Sequence, residues 1–393
     1  MKIGRAYARS VPTDGASAEL PPPPPRRGRR AAGLIVAALL LMAAFIAVAP
    51  YLASAIRQGY SIFSGLNTNG SGTTIVNTSS FSTSTNCSSV VSVRSLVAPD
   101  ITGGSAAIAY PPDYCTLAAF ALSQVNADRA ANGTGPVSLG YNQAAQQHAD
   151  SMLYYGYFSH YDTQGYKPYM RYTLLGGRGA DYENVAYFYN SGQPYTSTNA
   201  VEQAIKALEH SMVYDDVTCC NNGHKYNILN PLHNIVSIGV AYNGTTVYFD
   251  EEFENDYINL SFNATGASAS NPYYVTMQGT PIQGVPTPNS IYIAFDGAPS
   301  AESRTQLNNG PNEYGPGKLV GGVLPQGVFG SCGQFTTGTT VCADTWTFNS
   351  KTVDIAFSLH DFIKNNGPGV YTVYLITGSS TDSSLTTISV FVP

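Results

Sequence analysis

The chain of 393 residues has few charged side chains. Lys, Arg, Asp and Glu together make up 11% of it, against about 25% in ordinary soluble proteins. Ser, Thr, Asn, Gly and 28 Tyr residues take their place. An uncharged polar surface of this kind suits either of two settings. One is an acidic medium, in which carboxylates are protonated, and the other is the cell exterior, for a secreted and glycosylated protein.

Basic residues are lacking from most of the chain. Residues 1–30 hold seven Lys or Arg and two acids, whereas residues 58–393 hold 11 basic and 23 acidic residues. Nucleic acids and anionic membrane surfaces are both bound by clustered Lys and Arg. We therefore expect no nucleic-acid partner and no electrostatic docking of the C-terminal part to a membrane surface.

Two local catalytic motifs are also absent. The sequence has no His-Glu-x-x-His helix, which would place two zinc ligands side by side, and no Gly-x-Ser-x-Gly nucleophile elbow. Ser159 precedes His160, but neighbouring loop residues rarely present a Ser–His hydrogen bond. No nucleophile is therefore assigned.

An uncharged run of 26 residues, 31–56, lies between Arg30 and Arg57. About 20 apolar residues span the hydrocarbon core of a bilayer as a helix. The preceding Arg-rich flank places residues 1–30, a basic and Pro-rich tail, in the cytoplasm. We predict a single-pass signal-anchor helix at the cell membrane, with the bulk of the chain extracellular. The alternative is a cleaved signal peptide, but the long leader favours the anchor.

Cysteines and sequons agree with an external location. All six cysteines follow the apolar run, in a compartment where disulfides persist. Of the possible pairings we single out Cys332 with Cys342, Cys87 with Cys115, and either a vicinal bridge or separate partners for Cys219 and Cys220. Seven Asn-x-Ser/Thr sequons are compatible with a glycoprotein; they begin at Asn69, Asn77, Asn86, Asn132, Asn243, Asn259 and Asn263.

Composition and periodicity divide the external part into three. Residues 57–110 are rich in Ser, Thr and Asn and are predicted to form a stalk. Residues 111–263 are predicted to form an α/β domain, an α-β-α sandwich. Its predicted helices and strands are Leu117–Asn126, Gln143–Tyr155, Pro168–Leu175, Ala200–Met212, Ile235–Tyr242 and Thr246–Phe253. Asn243-Gly244 between the last two is a strong hairpin signal.

Residues 270–393 have a different pattern. Short apolar and Tyr-rich runs alternate with Gly, Pro and Ser turns, which is typical of an all-β, immunoglobulin-like sandwich. The predicted strands are Tyr273–Met277, Ser290–Phe295, Val353–Phe357, Val370–Ile376 and Thr386–Val392. His360 and Asp361 are interpreted as an exposed turn, so no catalytic group is assigned to this region.

Three short motifs in the middle of the chain suggest one cleft. They are Phe158-Ser159-His160, Glu183-Asn184-Val185-Ala186 and the run 223–231, which contains His224. Two imidazoles and one or two carboxylates form a plausible set for Zn²⁺ or another divalent metal. The same groups could also serve as acid and base without a metal. His160, Glu183 and His224 are therefore candidate metal ligands and candidate catalytic residues.

With Asn126-x-x-Arg129, His148-x-x-x-Met152 and the run 238–241, these motifs resemble the prokaryotic type of the CAP superfamily over about residues 117–253. This is the superfamily of cysteine-rich secretory, antigen 5 and pathogenesis-related proteins. The resemblance implies an α-β-α sandwich whose cleft holds two histidines and two acids. His160, His224 and Glu183 match the first three. Glu209 is the best match for the second acid, although the Trp that usually precedes it is absent.

The remaining polar residues receive structural interpretations. His148 is expected to be a core or groove histidine, His210 to be a possible substitute for Glu209, and His233 to cap a turn. The acidic run 250–256 could bind Ca²⁺, but a solvated strand end is favoured. Residues 215–216 are expected to lie in a loop.

Three functions follow from these features. The first is an anchored extracellular protein whose His/Glu cleft binds a cell-surface polymer, a lipid or a protein partner. The second is a metal-dependent hydrolase or peptidase that uses the same cleft. The third is a structural protein of the cell envelope. The sequence does not decide whether the protein is an enzyme.

Overall fold

The computed structural model describes residues 2–3, 7–8, 87, 97–99, 105–107, 111–140, 142–190, 195–265, 273–282, 284–327 and 331–393. The predicted membrane segment, 31–56, lies outside these residues, as do most of the predicted tail and stalk. No helix within the described ranges combines the length and apolarity needed to cross a bilayer.

Eight helices lie in the described part of the chain. They are α1 (Tyr114–Ala131), α2 (Ala144–Tyr155), α3 (Pro168–Leu174), α4 (Thr198–Tyr214), α5 (Val217–Cys220), α6 (Gly223–Ile228), α7 (Arg304–Asn309) and α8 (His360–Asn366). The first four confirm the predicted helices. His360 and Asp361 begin α8, so their interpretation as an exposed turn was wrong.

The strands fall into a central set, a C-terminal set and a two-stranded pair. The first set is β1 (Lys2–Ile3), β2 (Tyr7–Ala8), β5 (Ser138–Leu139), β6 (Ala180–Tyr189), β7 (Ile235–Tyr242) and β8 (Thr246–Asn255). The C-terminal set is β9 (Ile258–Thr265), β10 (Tyr274–Pro281), β11 (Ser290–Asp296), β12 (Lys318–Leu324), β13 (Thr339–Cys342), β14 (Thr345–Phe348), β15 (Val353–Ser358), β16 (Gly369–Ile376) and β17 (Ser384–Val392). The pair is β3 (Val97–Pro99) with β4 (Ser105–Ala107).

The first sheet has the order β1-β6-β8-β7-β5, with β2 also paired to β6. Successive side chains of a strand point to opposite faces. Ile238 and Val240 of β7 lie in the core formed with α1 and α4. Gly239 faces α2, so closely that a Cβ there would stand 2.1 Å from the Ala145 carbonyl oxygen. Helices therefore cover both faces, as an α-β-α arrangement requires.

Local sequence explains the limits of two of these helices. The Ser197 side chain accepts the backbone N–H of Ala200 and so caps the start of α4. Gly156 ends α2 in the left-handed conformation, at φ 67°, which glycine adopts without steric cost. The chain then turns directly into the loop that carries His160.

The C-terminal strands form two sheets around a shared apolar core. The four-stranded sheet has the order β14-β15-β10-β9 and the five-stranded sheet β13-β12-β11-β16-β17. All five predicted strands are present. The region is not all-β, because it contains α7 and α8, and β12 pairs with β13 in parallel. Its likeness to an immunoglobulin sandwich stays a prediction.

The central sheet and the C-terminal sheets are joined within one compact unit that includes residues 106–393. β9 pairs with β10 along its whole length, so the predicted domain limit at residue 263 falls inside a strand of the C-terminal set. The side chain of Thr387 accepts the Asp181 N–H at 2.9 Å. Lys167 forms a 2.7 Å ion pair with Asp296. The remaining predicted domain limits stay predictions.

The N-terminal strands β1 and β2 pair with the outer edge of β6. The predicted membrane anchor and the predicted cytoplasmic position of residues 1–30 stay predictions.

Three disulfides account for all six cysteines. They join Cys87 to Cys115, Cys219 to Cys220 and Cys332 to Cys342. These are the pairs singled out from the sequence, with the vicinal alternative chosen for the adjacent cysteines.

Candidate functional site

The four predicted cleft residues come from four different elements. His160 lies in the loop after α2, Glu183 on β6, Glu209 in α4 and His224 in the first turn of α6. All four are at most 1% exposed. The site is therefore closed to solvent in this structure.

His160 and Glu183 are in direct contact. Nδ1 of His160 lies 2.7 Å from Oε1 of Glu183, so the carboxylate fixes the orientation of the ring. Burial lowers the pKa of His160 well below its usual value of 6.5, and His224 and Arg171 lower it further. His160 is therefore held as the neutral imidazole, which is the form that binds metals. The effect of His224 also shows that the two histidines are close enough to interact.

Arg171 of α3 contacts both His160 and Glu183. Its guanidinium forms an ion pair with Oε2 of Glu183 and donates to the backbone oxygen of His160 at 2.8 Å. Burial opposes the charge of Arg171, but Glu183, Asp162 and Glu252 outweigh that effect and raise its pKa. Burial likewise raises the pKa of Glu183 to about 7, although Arg171 works in the opposite direction. Arg171 was not foreseen from the sequence, because no motif marks it.

Tyr314, from the loop between α7 and β12, closes the cleft. Its ring lies 4.8 Å from that of His160, centroid to centroid, and its hydroxyl accepts the backbone N–H of Glu183 at 2.8 Å. The side chain is 1% exposed. A residue of the C-terminal region therefore forms part of this cleft.

His224 has its own carboxylate partner. Nδ1 of His224 lies 2.5 Å from Oδ1 of Asp216, and both residues are buried. Nε2 of His224 is buried with no hydrogen-bond partner among the described residues. The sequence placed Asp216 in a loop without a role. The sequence signal that could have identified this contact is the short separation of Asp216 and His224, because one tight turn can bring the two together.

Glu209 takes part in a different contact. Asn184, the neighbour of Glu183 on β6, points to the other face of the sheet and donates to Glu251 at 3.2 Å. Glu209 lies beside Glu251 on that face. Burial and then the Glu251 carboxyl raise the pKa of Glu209 well above its usual value. The structure thus places Glu209 away from the His160–Glu183 pair, and its catalytic role stays a prediction.

The acidic run at the end of β8 is buried. Asp250, Glu251 and Glu252 are 0% exposed and Glu254 is 6% exposed, so the expected solvated strand end was wrong. Glu254 accepts hydrogen bonds from Tyr172 at 2.7 Å and Ser237 at 2.8 Å. Burial raises the pKa of Glu254 to about 7. The strand carries carboxyl groups on both faces because helices cover both.

Among the other histidines, His148 borders the cleft, with Nε2 4.0 Å from Oε2 of Glu183, whereas His210 and His233 lie outside it. His148 is buried, with Nε2 2.8 Å from the Ser159 oxygen, as expected of a core histidine. His210 is exposed and its ring lies 4.9 Å from that of Tyr214, centroid to centroid, so it does not substitute for Glu209. The ring of His233 is buried between the side chains of Asn227 and Asn255, so the expected turn cap was wrong.

Two groups of side chains in the described part of the chain have the spacing of metal ligands. One is Asp216, Cys219, Cys220 and His224, and the other is His148, Glu183 and Asp250. The predicted triad of His160, Glu183 and His224 is neither of these groups. The two oxygens of Glu183 already contact His160 and Arg171. Its carboxylate is thus arranged to orient a histidine, and a metal at the triad stays a prediction.

An open cavity of about 510 Å³ lies beside the closed cleft. Aromatic rings of the central sheet and its loops line one side, and residues of α7 line the other; they include Phe158, Tyr187, Tyr248, Arg304 and Asn308. Phe158 is two residues from His160. The cavity therefore reaches the loop that positions the first histidine.

Comparison with known protein families agrees with this architecture. Residues 122–257 match the model of the CAP family, the cysteine-rich secretory protein family. The chain therefore contains a CAP domain, which confirms the resemblance drawn from its motifs. A search of curated proteins finds no match to the chain.

Proposed function

We propose that this is an extracellular binding protein whose CAP cleft holds a surface ligand through His160 and His224. The observation that carries the proposal is that each histidine is bonded at Nδ1 to a buried carboxylate, Glu183 or Asp216. This is the usual arrangement for histidines that present Nε2 to a metal or ligand. Oriented imidazoles are ligands that Zn²⁺ prefers, and a bound Zn²⁺ would supply a Lewis acid to an oxygen atom of the ligand.

The closed state of the cleft requires an opening step before a ligand binds. The imidazoles are buried, and Tyr314 packs on one of them. A ligand must therefore displace the Tyr314 loop before it reaches the histidines. The neighbouring aromatic cavity offers a first docking place on the CAP surface, since aromatic walls with a few polar groups are typical of ligand pockets.

A metal-dependent hydrolase is the second candidate. The carboxylate-oriented histidines favour it, because catalytic zinc sites use the same arrangement. Against it, Arg171 occupies the carboxylate of Glu183, the group that would have to act as general base. A structural envelope protein is the third candidate. It predicts that removal of residues 111–263 leaves surface assembly intact.

A double variant separates the first two functions. His160→Ala/His224→Ala in the full-length chain is compared with His210→Ala, which changes an exposed histidine outside the cleft. The probes are zwitterionic phospholipid vesicles, an insoluble neutral polysaccharide and a peptide library. The proposal predicts that the double variant loses co-sedimentation with one of the first two and that no variant cleaves peptide. Peptide cleavage that only the double variant loses would establish the hydrolase instead.

We also propose that residues 31–56 anchor the chain in the membrane, with residues 1–30 in the cytoplasm. The proposal rests on the apolar run and its basic flank. It is tested by adding protease to intact cells that express the chain with an N-terminal epitope. Protection of the epitope supports the anchor. Its digestion would instead favour the pairing of β2 with β6 and place the N-terminus outside.

A further inference from the structure

The segment between α4 and α6 brings four metal-ligating side chains together. Asp216, Cys219, Cys220 and His224 each offer one ligand atom, and these atoms lie within 4.8 Å of one another. α5 contains both cysteines. The chain then turns through Asn221 and Asn222, at φ 49° and 64°, so that His224 in α6 faces Asp216.

The Asp216 carboxylate is the centre of the group. Its Oδ1 lies 2.5 Å from Nδ1 of His224 and 3.5 Å from Sγ of Cys219. Its Oδ2 accepts the backbone N–H of Lys225 at 3.3 Å. Asp216 and His224 are buried, whereas Cys219 is exposed and Cys220 is half-buried. The group thus has a fixed inner half and an outer half that solutes can reach.

The spacing suits a tetrahedral ion once the cysteines are reduced. Zn²⁺ binds sulfur at about 2.3 Å and nitrogen or oxygen at about 2.0–2.2 Å, so neighbouring ligand atoms in such a site are about 3–4 Å apart. The group needs only small movements to reach this geometry. Two thiolates, an imidazole and a carboxylate are all ligands that zinc prefers. As a disulfide, the sulfurs carry no thiolate charge and do not bind the ion.

The unused nitrogen of His224, which the cleft proposal also invokes, is a second pointer to a ligand. Its Nε2 is fully buried and has no hydrogen-bond partner among the described residues. Buried ring nitrogens are normally hydrogen-bonded or bound to a metal. Either ring nitrogen can bind an ion, and the ring then loses only its contact with Asp216.

We propose that Cys219 and Cys220 form a redox-controlled Zn²⁺ site with Asp216 and His224. In the oxidised form the cysteines are joined and His224 stays bonded to Asp216. A soluble dithiol reduces the S–S bond with two electrons and two protons, giving two thiols, and itself becomes a disulfide. Zn²⁺ then displaces the two thiol protons and takes His224 as a ligand.

The metal site stands independently of the proposed binding function. Where both hold, the metal draws His224 out of its contact with the cleft, so reduction weakens binding of the surface ligand. The other two disulfides have no such histidine or carboxylate neighbours within the described residues. They provide matched controls in the same chain.

The test is a Co²⁺ titration of the full-length protein before and after reduction with a water-soluble phosphine, which becomes its oxide with an oxygen atom from water. We expect one equivalent of tetrahedral Co²⁺ with sulfur-to-cobalt charge-transfer absorption, after reduction only, and displacement by Zn²⁺. Cys332→Ser/Cys342→Ser should keep this absorption, and Cys219→Ser/Cys220→Ser should lose it. Far-ultraviolet circular dichroism confirms that each reduced variant is folded.

Two further variants test whether His224 and Asp216 are ligands of the site. His224→Gln and Asp216→Asn should each weaken Co²⁺ binding at least tenfold while the thiols remain. His160→Ala, which disrupts the cleft, should leave the absorption unchanged, so failure of the cleft proposal is distinguishable from failure of this one. Absorption that survives the loss of Cys219 and Cys220, or no absorption in the reduced parent chain, would overturn the proposal.

Discussion

The ring of Tyr314 packs against the imidazole of His160, with ring centroids 4.8 Å apart, and its hydroxyl accepts the N–H of Glu183. Tyr314 lies more than 150 residues further along the chain than His160, in the C-terminal region. The CAP cleft is thus completed and closed by a segment from outside the CAP domain. Accessibility of the cleft should depend on that segment.

Tyr314→Ala should open the cleft. Removal of the ring exposes His160, which diethyl pyrocarbonate then modifies, and peptide mass spectrometry measures the rate at each histidine. Tyr314→Phe keeps the ring and loses only the hydroxyl contact, at a cost of about 1 kcal/mol, so His160 should stay protected. Exposed His210 provides the internal reference. Equal protection of His160 in the Ala variant and the parent would show that Tyr314 does not close the site.

Arg171→Met should strongly destabilise the chain. The change leaves Glu183 buried without its counter-charge, and breaking a buried pair from one side typically costs about 3–5 kcal/mol. Urea unfolding measures the loss. Lys167→Met removes the partly exposed ion pair with Asp296 and should cost less, because both of those groups keep contact with water. A loss of stability no larger than that of Lys167→Met would mean that Arg171 does not compensate the buried charge of Glu183.

One contribution to stability should fall as the pH rises from acid to neutral. The pKa of Glu254 rises from 4.5 to about 7 on burial, so the folded chain binds its proton more tightly than the unfolded chain. This contribution is complete below pH 4.5 and is lost as the pH passes through about 7. At about 1.4 kcal/mol per pKa unit, it is on the order of 3 kcal/mol.

Glu254→Gln isolates that contribution. The amide resembles the protonated acid, so the variant should lose less stability than the parent between pH 4.5 and 8. Thermal unfolding across this range measures the difference, with Glu202→Gln on the partly exposed surface of α4 as the control. Parallel plots of stability against pH for the parent and Glu254→Gln would contradict the claim that Glu254 binds its proton more tightly in the folded chain. A stability maximum in acid would favour the acidic medium suggested by the low charge content.

Asp216→Asn should weaken metal binding in the oxidised chain. Asp216 fixes the ring of His224, and loss of such a partner typically reduces metal affinity about 10–100-fold. Asp215→Asn changes an exposed neighbour and should leave the affinity unchanged. Competition with a chromophoric zinc chelator measures both. Equal metal affinities in the two variants would show that Asp216 does not orient the His224 ring.

Periodic apolar segments were predictable from the sequence, and strand β6 was not. The spacing of Ala144, His148 and Met152 marks α2, and Asn243-Gly244 marks the β7–β8 hairpin, because each depends on local sequence alone. β6 carries Asp181, Glu183 and Asn184, all buried, so it lacks the alternation of a half-exposed strand. Its neighbour β8 was found as a strand, but its acids were misjudged for the same reason.

The candidate site was partly predictable for a similar reason. His160, Glu183 and His224 stand in recognisable motifs. Arg171 and Tyr314 reach the cleft only through tertiary packing, and no local pattern identifies them. Asp216 is an intermediate case, because its partner His224 is only eight residues further along the chain.

Zn²⁺ binding by the oxidised full-length chain tests the central claim most directly, namely that His160 and His224 together form the ligand site. Equilibrium dialysis at neutral pH with metal analysis compares the parent chain, His160→Ala/His224→Ala and His210→Ala. The account predicts one Zn²⁺ per parent chain, the same in His210→Ala, and none in the double variant. Full binding by the double variant, or none by the parent chain, would contradict it.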